Sequence, residues 1–219
     1  VLLITWGFGG LLEGMAGFGT AVAIPAAILM SLGYRPVFSA LVSLIANSVP
    51  TAFGAVGVPV IVLAQETGLP VIPLSTAVVL QLSVLMFLVP LVITFLADPR
   101  MKALPKNLVL SVLVGGVSLV AQYLAARYVG AETPAIVGAI ASIIVIVVLG
   151  KLTGRGEEKS VPMTYSGGEV FRAWTVYVLI MVLILFTSPL FPAVREMLAG
   201  VCNSSVSFTI NGEVRNYTI

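Results

Sequence analysis

Long apolar stretches separated by short polar segments fill the second half of this sequence. Four of these stretches have the length of about 17–25 residues that a helix needs to cross the hydrocarbon core of a bilayer. They cover Leu74–Ala97, Leu108–Tyr128, Pro134–Gly150 and Ala173–Phe191. The pattern therefore predicts four transmembrane helices within residues 74–192.

The first part of the chain follows a different pattern, because a glycine-rich segment divides an apolar run. Val1–Leu12 and Ala21–Leu32 are apolar, and Glu13–Gly19 between them contains three glycines. A single helix of about 32 residues would be about 48 Å long, whereas the hydrocarbon core is about 30 Å thick. We therefore expect two half-length helices that meet at a glycine-rich tip, as in a re-entrant hairpin.

A second interruption follows in the next apolar run. Val37–Ala46 and Pro59–Gln65 flank a segment that contains Asn47, Pro50 and two further glycines. Proline has no backbone N–H and clashes with the preceding turn, so the helix should unwind near Asn47. We assign residues 1–73 to discontinuous helices that form half of a substrate site.

The last segment, residues 193–219, is polar and is predicted to lie outside the membrane. Asn211-Gly212 separates Val206–Ile210 from Glu213–Ile219, and this dipeptide suits the two-residue turn of a β-hairpin. The predicted fold class is an all-α, multi-spanning integral membrane protein of transporter type, with a short hairpin-like tail at its C-terminus.

Composition narrows the function classes. Hydrophobic residues make up 59% of the chain and charged residues 9%, against about 25% charged in a typical globular domain. The absence of histidine excludes Ser-His-Asp catalysis and most zinc sites, and Cys202 has no partner for an internal disulfide. No basic cluster indicates nucleic acid. We expect no enzyme activity and no cofactor.

The distribution of basic residues predicts the orientation of the helices. Lysine and arginine are concentrated in Asp98–Lys106 and in Lys151–Arg172, and Val129–Thr133 contains neither. Basic residues favour the cytoplasmic side of a membrane. The first two loops are therefore predicted to lie inside, and Val129–Thr133 outside.

Glu13 is the first candidate for function. A charged side chain within a bilayer costs about 2.5–3.5 kcal/mol on insertion scales, so such residues usually have a function or a partner. One interpretation is that Glu13 takes up and releases a proton during transport. The other is that it only accepts hydrogen bonds from unwound backbone amides and holds the hairpin tip.

The glycines after Glu13 also have two interpretations. They could bring backbone N–H groups close to an anionic substrate, with a helix N-terminus that adds a positive dipole and Thr20 as its N-cap. Alternatively, they only allow close packing between helices.

Asn47, Ser48 and Thr51 are polar residues at the second predicted break. They could bind substrate oxygens or a cation, or they could replace hydrogen bonds lost at Pro50. The candidate residues for binding substrate and proton are Glu13, Gly14, Gly17, Phe18, Gly19, Thr20, Asn47, Ser48 and Thr51.

Two sequence blocks resemble the lactate permease family. They are Glu-Gly-Met-Ala-Gly-Phe-Gly at residues 13–19 and Leu-Ile-Ala-Asn-Ser-Val-Pro-Thr-Ala-Phe-Gly-Ala-Val-Gly-Val-Pro at residues 44–59. Ala121–Leu124 and Arg172–Trp174 are also similar to that family, and the resemblance runs from about Val1 to Pro192. Thr20-Ala21 and Ser48-Val49 depart from its usual residues.

The resemblance implies a multi-pass carrier of the plasma (inner) membrane that imports lactate, glycolate or related 2-hydroxy monocarboxylates together with a proton. It also implies a longer parent chain. Since the chain begins at Val1 directly in apolar sequence, we interpret it as a fragment or a processed product. It contains no second copy of the Glu-Gly…Gly-Phe-Gly block, so we expect that a second half of the site is missing. The expected partners are the monocarboxylate, the proton, the lipid bilayer and the remainder of the parent transporter. A sodium-coupled organic-anion carrier and a channel are the alternatives.

Overall fold

A computed structural model of the chain describes residues 1–17, 19–152, 205–210 and 213–218, together with isolated helical positions between residues 168 and 197. The described chain is helical as far as Leu152 and ends in a two-stranded sheet. The predicted span Ala173–Phe191 lies outside the continuously described residues.

The helices before residue 70 are short. A π-helical segment, Leu3–Phe8, continues directly into helix α1, Gly9–Met15. Helix α2 covers Thr20–Ser31 and helix α3 covers Pro36–Asn47. A 3₁₀ turn, Pro50–Phe53, then leads into helix α4, Gly54–Thr67.

The later helices are long enough to cross a membrane. Helix α5 covers Val71–Ala97, helix α6 covers Leu104–Tyr128 after a 3₁₀ turn at Met101–Ala103, and helix α7 covers Pro134–Leu152. All three are apolar, and the bent pair formed by α3 and α4 provides a fourth candidate span. Three of the predicted spans are thereby confirmed as helices that are long and apolar enough to cross a membrane, each a few residues longer than predicted.

The π-helical segment and α1 pack antiparallel to α7 through glycines. A Cβ atom added to Gly7 would lie 2.7 Å from Ile143, and one added to Gly14 would lie 2.8 Å from Ile136. The indole N–H of Trp6 donates a hydrogen bond of 3.3 Å to Ser142. The neighbour on α7 changes from Ile143 at Gly7 to Ile136 at Gly14, so the two segments run in opposite directions. The end of α1 therefore lies beside the first turn of α7.

The break between α3 and α4 bends the two helices by 54°. Pro50 begins the 3₁₀ turn, as its missing N–H predicts. Further along, Ala55, Val56 and Gly57 have positive φ values of 46°, 61° and 75°. Left-handed backbone costs about 1–2 kcal/mol for each residue that carries a Cβ, so the surrounding contacts must stabilise this turn.

Large buried side chains from both broken and continuous helices form one core. Phe53 from the 3₁₀ turn, Met86 and Ile93 from α5, and Val114 from α6 are all fully buried, and Trp6 belongs to the same cluster. The unwound segment is therefore anchored by the continuous helices.

The C-terminal strands occupy the segment in which a hairpin is predicted. Strand β1, Ser205–Ile210, pairs antiparallel with strand β2, Glu213–Thr218, in a register that joins Ser205 to Thr218 and Ile210 to Glu213. The Asn211-Gly212 dipeptide, for which the turn is predicted, lies outside the described residues.

Helices α5 and α6 are held at close range by backbone contact. The Ser111 hydroxyl donates a hydrogen bond to the Phe87 carbonyl, and the Asn107 amide donates one of 3.3 Å to the Thr94 carbonyl. A Cβ atom on Gly115 would lie 2.5 Å from the Met86 carbonyl oxygen. Glycine at this position is what allows the two helices to approach each other.

We expect Gly115→Ala to lower the free energy of unfolding by about 1–3 kcal/mol, because the added methyl group meets backbone that cannot move aside. The matched control is Gly116→Ala, whose Cβ would lie 3.8 Å from the nearest atom, on Phe87. Since alanine favours helix over glycine by about 0.8–1 kcal/mol, the control should be neutral or stabilising. Thermal unfolding in detergent measures both, and equal effects would contradict the close packing.

Candidate functional site

The two helix breaks meet at one cavity of about 460 Å³. This volume lies within the range of about 300–1,000 Å³ that is usual for small-molecule sites. Its lining consists of Glu13, Gly17, Gly19, Asn47, Thr51, Gly54, Ala55, Val58, Pro59 and Val62. Two regions separated by about 30 residues of sequence therefore contribute to the same space.

Glu13 is buried at the end of α1, with only 3% of its surface exposed. Its atom Oε2 has no hydrogen-bond partner in the part of the chain that the structure describes. Asn47, from the second break, lines the same cavity. The carboxyl group therefore has a polar residue of the second break in its cavity and one oxygen atom without a partner among the described residues.

Gly54 allows the carboxyl group to occupy this position. A Cβ atom on Gly54 would lie only 2.6 Å from Glu13 Oε1, which is too short for a non-bonded contact. Gly54 itself has φ −66° and ψ 161°, which most residues can adopt. Glycine here makes space for the carboxyl group, which a Cβ atom would displace, and its backbone freedom plays no part.

Asn47 and Thr51 form a small hydrogen-bonded pair at the end of α3. The Asn47 side-chain Nδ2 donates to Thr51 Oγ1 at 3.0 Å, and the Thr51 hydroxyl donates to the Asn47 backbone carbonyl at 2.5 Å. These bonds replace part of the helical bonding that ends at Asn47. Asn47 Oδ1 is buried without a partner in the described region.

Helix α2 begins beside the cavity. Gly19 is its N-cap, with a left-handed φ of 88°, and the Gly19 carbonyl accepts hydrogen bonds from the amides of Val22 and Ala23. The prediction of Thr20 as the N-cap is wrong, because Thr20 is already the first helical residue. The chain reverses at Gly19, where only glycine adopts the required φ without strain.

Gly17 brings the backbones of the two breaks into contact. A Cβ atom on Gly17, whose φ is +61°, would lie 2.8 Å from the Ala55 amide nitrogen. On the other side of the left-handed turn, a Cβ on Gly57 would overlap the Ala131 carbonyl in the loop before α7. The turn at residues 55–57 is therefore held between α1 and the α6–α7 loop.

Four of the nine predicted residues are not seen to line the cavity. Gly14 faces α7, where it contacts Ala135 and Ile136. The Ser48 hydroxyl donates a hydrogen bond of 2.7 Å to the Ile45 carbonyl and lies away from the cavity lining. Phe18 and the Thr20 side chain lie outside the described parts of the structure. The cavity brings together the remaining five, Glu13, Gly17, Gly19, Asn47 and Thr51, and their role in binding stays a prediction.

Five cavity residues were not singled out from the sequence, namely Gly54, Ala55, Val58, Pro59 and Val62. Gly54 lies within the second quoted block, but it cannot be recognised as the neighbour of Glu13 without the fold. Val58 and Val62 have the four-residue spacing of one helix face. That signal was present, although nothing in it distinguishes a cavity wall from a lipid-facing stripe.

The cavity contains one acidic group and no basic group. In the described part of the chain, the single ion pair joins Arg100 to Asp98 at 2.8 Å, in the loop before α6. The described residues also contain no cluster of three or more His, Cys, Asp or Glu side chains that could hold a metal ion. Burial of Glu13 is therefore not compensated by a protein cation in this region.

Broken helices around a buried acid define a class of membrane protein. Secondary transporters commonly build their sites from discontinuous helices whose termini face the substrate. The three long apolar helices and the bent pair give the chain several candidate membrane spans. The fold and the cavity together have the features of a multi-pass transporter.

The comparisons with known proteins agree with this class. The sequence profile of the L-lactate permease family matches residues 1–217. The L-lactate permease of Streptococcus iniae is 42% identical over 224 residues, which cover 100% of this chain and 46% of that protein. The L-lactate permease of Bacillus subtilis is 36% identical over 94% of this chain and 39% of its own length.

Glycolate permease GlcA of Escherichia coli is 35% identical over 84% of this chain and 36% of its own length. No solved structure matches. This chain belongs to the L-lactate permease family, and it is a multi-pass protein of the plasma membrane. The match continues to residue 217, beyond Pro192, where the recognised resemblance ended. The chain spans less than half the length of the relatives that it matches.

The contact between Gly54 and Glu13 can be tested with a double-mutant cycle. We expect Gly54→Ala to lower the free energy of unfolding by about 1–3 kcal/mol, because the methyl group displaces the buried carboxyl group. In a Glu13→Ala background the clash disappears, and the same substitution should have little effect. Thermal unfolding of the four proteins in detergent gives the coupling energy. A coupling energy near zero would show that residues 54 and 13 do not interact.

Proposed function

We propose that this chain forms half of the substrate pathway of a secondary active transporter that imports lactate or a related 2-hydroxy monocarboxylate by proton symport. The observation that carries the proposal is the cavity that joins Glu13 to both helix breaks. The proposal accounts for the buried acid, the glycines beside it and the unpartnered oxygen atoms in a single site.

One helix terminus gives the cavity a preference for an anion. Helix α2 begins after Gly19, which lines the cavity. The first turn of a helix has amide groups without intrahelical partners and a positive end of the helix dipole. A small carboxylate beside this terminus would accept hydrogen bonds from its amides.

Glu13 supplies a physical basis for proton coupling. An ionised carboxylate in a membrane cavity without a cation costs several kcal/mol and would repel a substrate carboxylate. Proton binding to Glu13 removes both costs, and the neutral acid can donate a hydrogen bond to the substrate. Anion and proton would therefore bind together, and uptake should rise as the external pH falls.

The proposed substrate class is based on the names of the related permeases. Two of them carry the name L-lactate permease and one the name glycolate permease. Lactate and glycolate share a carboxylate and a hydroxyl group on the adjacent carbon. Asn47 Oδ1, buried and without a partner among the described residues, is a suitable acceptor for that hydroxyl group.

The other wall of the site would come from residues outside this chain. The relatives are more than twice as long as the segment that they share with it. Carriers of this kind commonly contain a second, inverted half that completes the central site. We therefore propose that the remainder of the full-length transporter closes the cavity, and that it is the chain's main protein partner.

Proton coupling can be tested with Glu13→Gln in the full 219-residue chain, exchanged for the matching segment of the Streptococcus iniae permease. In vesicles with an imposed pH gradient, the variant should lose accumulation of labelled lactate above equilibrium. Exchange of internal for external lactate should persist, because glutamine mimics the protonated acid. The matched control is Glu66→Gln, an exposed acid at the end of α4, which should leave accumulation unchanged.

The same assay distinguishes the alternatives. Unchanged proton-driven accumulation in Glu13→Gln would show that Glu13 is not the group that couples proton movement to transport. Accumulation that follows a sodium gradient and ignores pH would favour a sodium-coupled carrier. Uptake that no gradient can concentrate would indicate a channel.

A further inference from the structure

The cavity has two chemically different sides. Glu13, Asn47 and Thr51 provide its polar groups, at the ends of α1 and α3. The first turns of α4 contribute Val58, Pro59 and Val62, whose side chains contain only carbon. A ligand in this space meets the hydrogen-bonding groups at the ends of α1 and α3, called here the polar end, and an aliphatic surface from α4.

Val58 and Val62 are one helical turn apart, so their side chains lie on the same face of α4. They are 44% and 46% exposed, and both line the cavity. The neighbouring Leu63 is 45% exposed but lies outside the lining. The wall is therefore a defined face of α4 and is distinct from the general apolar surface of the helix.

The wall is also held in a fixed position relative to the polar end. The left-handed turn at Ala55–Gly57 immediately precedes Val58. Gly17 contacts the turn at Ala55, and the Ala131 carbonyl contacts it at Gly57. β-branched side chains have few rotamers, so the two valines present a rigid surface to whatever occupies the cavity.

We infer that Val58 and Val62 form the wall that recognises the substituent on C2 of the substrate. This inference rests on the proposed function. With the carboxylate and hydroxyl groups at the polar end, the third substituent of C2 points to the aliphatic side. That substituent is hydrogen in glycolate, methyl in lactate and ethyl in 2-hydroxybutyrate. The size of the two side chains then sets which of these acids is preferred.

The test is competitive uptake of labelled glycolate, lactate and 2-hydroxybutyrate by the same chimera. Val62→Ala and Val58→Ala each enlarge the cavity beside the wall. The ratio of kcat/KM for 2-hydroxybutyrate to kcat/KM for lactate should therefore rise about tenfold, which is the low end of the discrimination that one methylene group provides. Val62→Phe fills the space and should shift the preference towards glycolate by a similar factor. Ratios within one variant do not depend on how much protein reaches the membrane.

Leu63→Ala is the matched control, because it removes an equally exposed aliphatic side chain one residue away, and its ratios should equal those of the parent chimera. Uptake with unchanged ratios in both valine-to-alanine variants would overturn the wall assignment and leave the proposed function intact. Absence of uptake of all three acids by the unsubstituted chimera would instead overturn the proposed function. If Val62→Phe does not fold, the two alanine variants still decide the question.

Discussion

The approach of Gly54 to the Glu13 carboxyl group is the contact on which the site depends. It joins two segments that are each unable to complete a helix, and it leaves no space for a side chain at residue 54. The pairing also buries an acid that has no cation beside it in the described region. Such a group is costly in a membrane, and this cost is the reason why we propose a function for the acid in transport.

Glycine has the same physical role at several other contacts in this fold. Gly7 and Gly14 bring the first segment against α7, and Gly115 brings α6 against α5. Between helices in a bilayer there is little hydrophobic driving force, so close packing and hydrogen bonds have to hold the helices together. The continuous helices can therefore support the broken ones closely, and the fully buried Phe53 fixes the unwound segment in their core.

Sequence patterns predicted the long helices well, because apolar length is a direct consequence of membrane thickness. They also located both breaks, since Pro50 and the glycines after Glu13 act locally on the backbone. They could not predict that the breaks touch, because the contacts of Gly17 with Ala55 and of Gly54 with Glu13 depend on tertiary packing. For the same reason, the sequence groups Gly14 with Gly17 although Gly14 faces α7. The predicted cap of α2 is one residue too late because the left-handed backbone of Gly19 begins the helix there.

The left-handed turn at residues 55–57 connects the site to the end of the bundle where α7 begins. Ala55 and Val56 adopt positive φ values that cost each of them about 1–2 kcal/mol, and a β-branched residue is especially rare there. Such strain persists only where neighbouring contacts over-determine the conformation. The neighbours here are Gly17 on the side of the cavity and the Ala131 carbonyl in the α6–α7 loop. The position of the first residues of α4, and with it the geometry of the cavity, therefore depends on contacts with both Gly17 and the α6–α7 loop.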